Sequence, residues 1–377
     1  MAEASVQNPK RIFYIDNIRL FLTILVVLHH IAVAYGGSGG WPLKEDPTDD
    51  ISPILLTLFN AINQSFFLSF FYMLSRYFIP GSYDKKGPAK FIKDRLIRLG
   101  IPLLVYTTII SVFIDFIVLN FSRGEEVSIF RIVMYKIQNP HWVVGPLWFV
   151  EGLLIFSIIY SLFRIITKFS FKPFKVSFPR NSSFIMSITA IATGTFLVRI
   201  WSPVGVEVHV FQLGHYVHYA FCFWVGILAS RGKWFDNLSR SQARVWKITA
   251  IVMIIALPIV IAISGGSVEP FMGGFSWQSL VASFWESIAC LSIIISLLYM
   301  FRNRFYNQGR LLKWMSPNFY IVYILHQPII VSIMIPFLYL DIPTAVKFFI
   351  VAFIGIPVCF IVGNLIRQIP FTKKVLG

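Results

Sequence analysis

The chain has 377 residues, 56% of them hydrophobic and 13% charged, with a mean hydropathy of +0.72. That is more apolar surface than a soluble domain can hide, so the composition excludes one and predicts an all-α, polytopic membrane protein. A formal charge of +16 would suggest nucleic acid in a soluble chain, but here the basic residues form no continuous stripe and lie in short segments between apolar runs, where they report topology.

Ten apolar runs follow one another, at roughly 18–36, 54–79, 99–120, 144–165, 183–202, 211–230, 246–264, 279–301, 317–338 and 344–366, each near the ~20 residues that span a bilayer. The first, from Ile18 to Tyr35, reads IRLFLTILVVLHHIAVAY and carries Arg19 at one end and His29 and His30 inside it. Lys10, Arg11 and the small residues Ala32-Val33-Ala34 mimic a signal peptide. The spans that follow and the embedded histidines predict an uncleaved first helix instead. The second run is long enough to predict a tilted or re-entrant portion. Lys and Arg gather in alternate loops: Lys85, Lys86, Lys90, Lys93, Arg95 and Arg98, then Lys168, Lys172, Lys175 and Arg180, then Arg231 to Lys247, Arg302 to Lys313, and Arg367 to Lys374. The opposite loops collect Glu45, Asp46, Asp49, Asp50, Glu125, Glu126 and Asp341. By the positive-inside rule both termini are expected in the cytoplasm. No appended soluble domain is expected, so residues 1–377 read as one integral-membrane unit. Cys222, Cys290 and Cys359 all lie inside apolar runs, and their odd number argues against a disulfide framework or a zinc site.

Ionisable groups inside apolar runs are costly and mark function by default. Counting ~1.5 Å of rise per residue from the ends of the runs puts His30, His326, Glu151 and Glu286 at nearly one level, which predicts a polar cavity among four helices. Each also has a bland reading: a buried histidine that only fixes packing, or Glu286 paired with a histidine or an arginine. Adjacent helical residues point about 100° apart, so His29 is read as structural. Tyr35, Trp41, Trp142, Trp148 and Trp277 fall where an outer aromatic belt is expected. In KFIKDRLIRLGIPLL, Arg95 and Arg98 are expected one turn apart at the start of a helix, suited either to phosphate oxygens or to lipid headgroups.

Arg19 followed after ten residues by His30, the Arg95/Arg98 RxxR element, GPLWFVEGLLIFSIIY around Trp148 and Glu151, FCFWVGILASRGKW, and NFYIVYILHQPIIV around His326 together resemble the membrane acyltransferase 3 family over nearly the whole chain. The DNIR opening, the double histidine and WESIAC look most like its glucan succinyltransferase branch. The resemblance implies a ten-helix O-acyltransferase in the plasma membrane of a bacterium. It would move an acetyl or succinyl group from cytoplasmic acyl-CoA to a hydroxyl of a glycan, glycolipid or similar acceptor at the outer side, without a metal, and a separate extracytoplasmic partner could take over a second transfer. On that reading His30 is the base and Glu151 orients it or a neighbouring donor. Arg95 and Arg98 hold the CoA phosphates, and Arg19 lines the donor's path. His326 and Glu286, with Trp148 and His29 nearby, stabilise the oxyanion or bind the acceptor. A proton-coupled transporter and a catalytically degenerate scaffold are the two other classes that place His and Glu in a membrane.

Overall fold

A computed structural model describes residues 12–140, 143–168, 178–208 and 211–376, the Lys374 side chain excepted. Lys10, Arg11, Trp142, Lys172 and Lys175, which enter the topology and interface readings, lie outside the described residues. The protein is an all-α polytopic membrane protein. Its long helices are α1 (Phe13–Ala34), α2 (Ile51–Tyr77), α3 (Pro88–Ser122), α4 (Trp148–Thr167), α5 (Asn181–Trp201), α6 (Tyr216–Gly232), α7 (Arg240–Ile263), α8 (Trp277–Arg304), α9 (Phe319–Met334) and α10 (Thr344–Gln368). Among the described residues nine helical segments are long and apolar enough to cross a membrane. The remaining apolar run, at roughly 211–230, is the shorter α6, 17 residues preceded by a 3₁₀ turn at Leu213–His215.

Helix starts follow capping chemistry. Ser239 and Ser276 accept from the Gln242 and Ser279 amides at 3.3 and 3.1 Å, satisfying first-turn donors of α7 and α8. Ahead of α2, Asp49 accepts from the Ser52 amide and hydroxyl at 2.7 Å each and from the Ile51 amide at 3.0 Å, which holds its carboxyl below the usual range.

The helices differ in how much they bury. In α1, 67% of the apolar window is inside the protein, against 11% in α7, so α1 is central and α7 faces lipid. α1 packs on α2, α8, α9 and α10, while α2 packs most closely on α6. That crossing needs a glycine: a Cβ on Gly226 would collide with the Met73 carbonyl oxygen and stand 3.0 Å from Arg76 Cβ. Gly226→Ala is therefore expected to destabilise the protein by ~1–3 kcal/mol, the usual cost of overpacking, read as a lowered unfolding midpoint in a fixed detergent. An unchanged midpoint would mean that α2 and α6 can part without cost.

Three features depart from the sequence reading. α1 begins at Phe13, before the apolar run, because Tyr14, Ile15 and Asn17 are buried there and Asn17 donates to the Phe305 and Asn307 carbonyls at 2.7 and 3.0 Å. The long second run straightens into α2 and then turns into a short helix, Ile79–Lys86. The third begins as early as Pro88 and carries π-helical turns at Leu96–Gly100, Tyr106–Ile110 and Val118–Ser122, a deformation frequent at functional sites.

The segment 35–50 folds back across the Ala34 end of α1. The Glu45 amide donates to the Ala34 carbonyl at 2.9 Å, Thr48 pairs with Thr344 at the start of α10, and buried Lys347 forms an ion pair with Glu45. This strap fixes what lies beneath it.

Candidate active site

His30 and His326 meet. His30 Nδ1 lies 2.8 Å from His326 Nε2, and the two rings stack at 4.9 Å between centroids. His30 is four residues from the end of α1, about 6 Å by helical rise, so the pair sits toward the strapped end of the bundle.

The protons on this pair follow from its partners. His326 Nδ1 is 2.7 Å from the Tyr323 carbonyl oxygen. A carbonyl can only accept, so Nδ1 carries the proton, and Nε2 of the neutral ring is the acceptor. His30 Nδ1 must then donate to it. His30 Nε2 is thereby left with its lone pair, on a partly buried residue beside the fully buried His326. A histidine whose second nitrogen is fixed by a partner is the arrangement of a general base.

The turn before α4 holds this pair in place. Gly145 has φ +48, and a Cβ there would strike the Tyr106 hydroxyl, which donates to Gln327 Oε1. The next carbonyl, of Pro146, accepts from the Tyr323 hydroxyl, and Tyr323 supplies the carbonyl that orients His326. The GPLW sequence therefore acts on the histidines through its backbone. Trp148 itself packs against Tyr219 and Tyr216, at 5.8 and 6.3 Å.

The expected convergence of four ionisable groups is not what the helices build. Glu286 belongs to a second, buried centre, where its carboxylate takes a guanidinium nitrogen of Arg199 on one oxygen and His215 Nδ1 at 3.0 Å on the other. Arg199 Nε donates to the Gly214 carbonyl at 3.1 Å. Beside them His218 contacts Thr195 Oγ1 at 3.3 Å and Ser287 Oγ at 3.1 Å. The reading of Glu286 as a partner for a histidine and an arginine matches this geometry, and its placement beside His326 does not. A relay of rings divides the two centres, from Tyr323 through Phe149, Tyr72 and Tyr219 to His215, with neighbouring centroids 4.7 to 6.2 Å apart. Glu151 lies within electrostatic reach of Tyr216 on the divide. The partner that orients His30 is His326. The His29 ring packs on Phe67 at 5.1 Å and edge-on to the His30 ring at 5.4 Å, its direction set by the 100° step between neighbours.

At the Arg19 end the cations spread over four helices. Arg19 bonds Asp16 at 3.5 Å and the Leu74 carbonyl at 3.3 Å, with its guanidinium near the rings of Phe78 and Phe319. Arg95 is half-buried over Phe91, whereas Arg98 is exposed. The π turn at Leu96–Gly100 breaks the expected common face, yet the two remain within electrostatic reach of each other. Arg98 and Lys373, with Asp94 and Ile97, line a depression of about 270 Å³. Arg76 is fully buried, its guanidinium over Phe223 and donating to the Leu153 carbonyl and Ser157 Oγ at 3.2 and 3.3 Å.

Sequence reasoning assigned Trp41 to the aromatic belt. In the structure its ring stacks on His30 at 4.7 Å and lies 6.1 Å from His326. Among the described residues no three His, Cys, Asp or Glu side chains stand together to hold a metal ion, and the three cysteines are buried free thiols.

The family model described as an acyltransferase domain matches residues 12–364. "Glucans biosynthesis protein C" of Escherichia coli O6:K15:H31 is 28% identical over 157 residues, covering 40% of this chain and 39% of the relative. The protein of the same name from Escherichia coli strain K12 is 29% identical over the same length and coverage. The match thus spans about two-fifths of these relatives. No solved structure matches the chain.

Proposed function

The chain belongs to the acyltransferase domain family, and on that footing we propose that this membrane acyltransferase moves an acyl group from acyl-CoA on the cytoplasmic side to a hydroxyl of a glycan, glycolipid or similar acceptor at the outer side. The observation that carries the reading is the lone pair on His30 Nε2, kept there because His326 and the Tyr323 carbonyl fix every other proton of the pair. Acyl transfer from a thioester needs a base for the acceptor hydroxyl, and this nitrogen is one.

Burial supports the same direction of traffic. The free nitrogen lies toward the strapped end, near the acidic loops, and Arg19, Arg95, Arg98 and Lys373 lie toward the other. A donor whose phosphates are held among those cations would extend its thioester between α1, α3 and α9 to His30. The glucan in the name of the two relatives supports a saccharide as acceptor here. Acetyl and succinyl remain the two donor groups to compare.

The test is release of free CoA from acetyl-CoA and from succinyl-CoA by the purified protein in lipid, with and without a glucan acceptor. Acceptor-dependent release from either donor is the expected result. No release from either, with the folded state verified, would overturn the assignment of donor. Arg98→Ala is expected to raise the KM for acyl-CoA about tenfold or more with little change in kcat, since a hydrogen bond to a charged group contributes ~1.5–3 kcal/mol. A KM equal to that of the wild type would return Arg98 to membrane anchoring.

A further inference from the structure

Trp41 and His29 are the other polar side chains whose rings lie against His30, at 4.7 and 5.4 Å, and His29 is also packed on Phe67. An interfacial tryptophan presents its N–H to water or headgroups, but Trp41 Nε1 is buried and has no hydrogen-bond partner. Leaving such a donor unsatisfied is costly, so its persistence calls for a reason. Trp285 shows the ordinary solution, donating Nε1 to the Met253 carbonyl at 2.8 Å. Trp234 and Trp246 also carry unpaired indole nitrogens, but neither stacks on a histidine. Trp41 alone among them lies against a ring with an unprotonated nitrogen, 19° from parallel to it.

The loop holds Trp41 there with more structure than a membrane belt needs. The Glu45–Lys347 ion pair, the Thr48–Thr344 pair and the Glu45 amide bond to Ala34 pin the chain on the far side of the tryptophan, and Lys347 is 2% exposed. On the near side Ser38 and Asn60 tie the Gly-rich turn to α2, with the Ser38 amide 3.1 Å from Thr57 Oγ1 and Asn60 Nδ2 3.2 Å from the Ser38 carbonyl.

We infer that Trp41 is a substrate-contacting residue of this site, donating its indole N–H to the acyl carbonyl oxygen as that oxygen becomes an oxyanion. This rests on the acyl-CoA reading above. The acceptor hydroxyl oxygen bonds to the carbonyl carbon while its proton passes to His30 Nε2, and the C=O electron pair moves onto the oxygen facing Trp41 Nε1–H. Collapse re-forms C=O and breaks the C–S bond. The CoA thiolate leaves with the proton returned by His30, giving an ester and free CoA with no other reactant. The unfilled donor is then satisfied only when charge develops, which is how binding energy lowers a barrier rather than a KM.

The experiment replaces Trp41 with β-(3-benzothienyl)alanine, which keeps the bicyclic ring and puts sulfur in place of N–H, alongside Trp41→Phe. With the acyl-CoA release assay, kcat is expected to fall about a hundredfold or more in both while the KM for acyl-CoA stays within about twofold of wild type. A benzothienyl variant with wild-type kcat would overturn the role, as would a change confined to KM. Failure of the underlying reading is recognisable separately, because the wild-type protein itself would then release no CoA.

Discussion

His30→Ala is expected to lower acyl transfer by about 10²- to 10⁴-fold, the range contributed by a positioned general base, with the unfolding midpoint measured alongside to separate loss of the base from loss of packing against Trp41 and His326. The comparison that gives this result meaning is with its neighbours. His326→Ala removes the acceptor that fixes the Nδ1 proton of His30, so the base survives in a mixture of tautomers, and part of the loss is expected. His29→Ala removes a ring packed on Phe67 and is expected to leave turnover within about threefold, since neighbouring helical positions diverge by ~100°. The order of damage is therefore His30, then His326, then His29. Measurement is by CoA release at saturating donor. If His29→Ala proves the most damaging of the three, the assignment of the base is wrong.

That His30 and His326 meet was legible before any coordinates, and the reason is the fixed rise of a helix. Each residue advances ~1.5 Å, so counting from the ends of two apolar runs predicts level well. Rotation about the helix axis is a different matter, because a small change in where a helix starts turns every later side chain. Glu151 and Glu286 were counted to the same level as the histidines, yet Glu286 faces Arg199 and His215, and Glu151 lies beside Tyr216. α3 shows the same effect along one helix, where the π turn at Leu96–Gly100 leaves Arg95 half-buried and Arg98 exposed although their spacing is that of neighbours. Trp41 was hidden for a third reason. Its position depends on a loop closed by Lys347 and Thr344, about 300 residues away by the separations of those bonds, and no local pattern carries such information. His215 lies just before α6, at the edge of an apolar run, where a polar residue looks like a loop residue.

The second centre carries the larger consequence for stability. Arg199 and Glu286 are both buried, with side chains 2% and 9% exposed, and they join α5 to α8 while His215 ties the start of α6 to the same carboxylate. Removing one partner of a buried pair leaves the other charge uncompensated, a cost of about 3–5 kcal/mol. Glu286→Ala is accordingly expected to lower unfolding stability by that amount and Arg199→Ala by a similar one, whereas Arg199→Met with Glu286→Leu removes both charges and is expected to recover most of the loss. The double-mutant cycle isolates the coupling, measured by unfolding in a fixed detergent. Single variants as stable as wild type would show that the pair is reached by water and contributes little. The same double variant also separates the two roles open to Glu286, since a packing pair leaves CoA release intact once stability returns and an acceptor-binding carboxylate does not. The expectation here is retained activity, because the Glu286 carboxylate is taken up by Arg199 and His215.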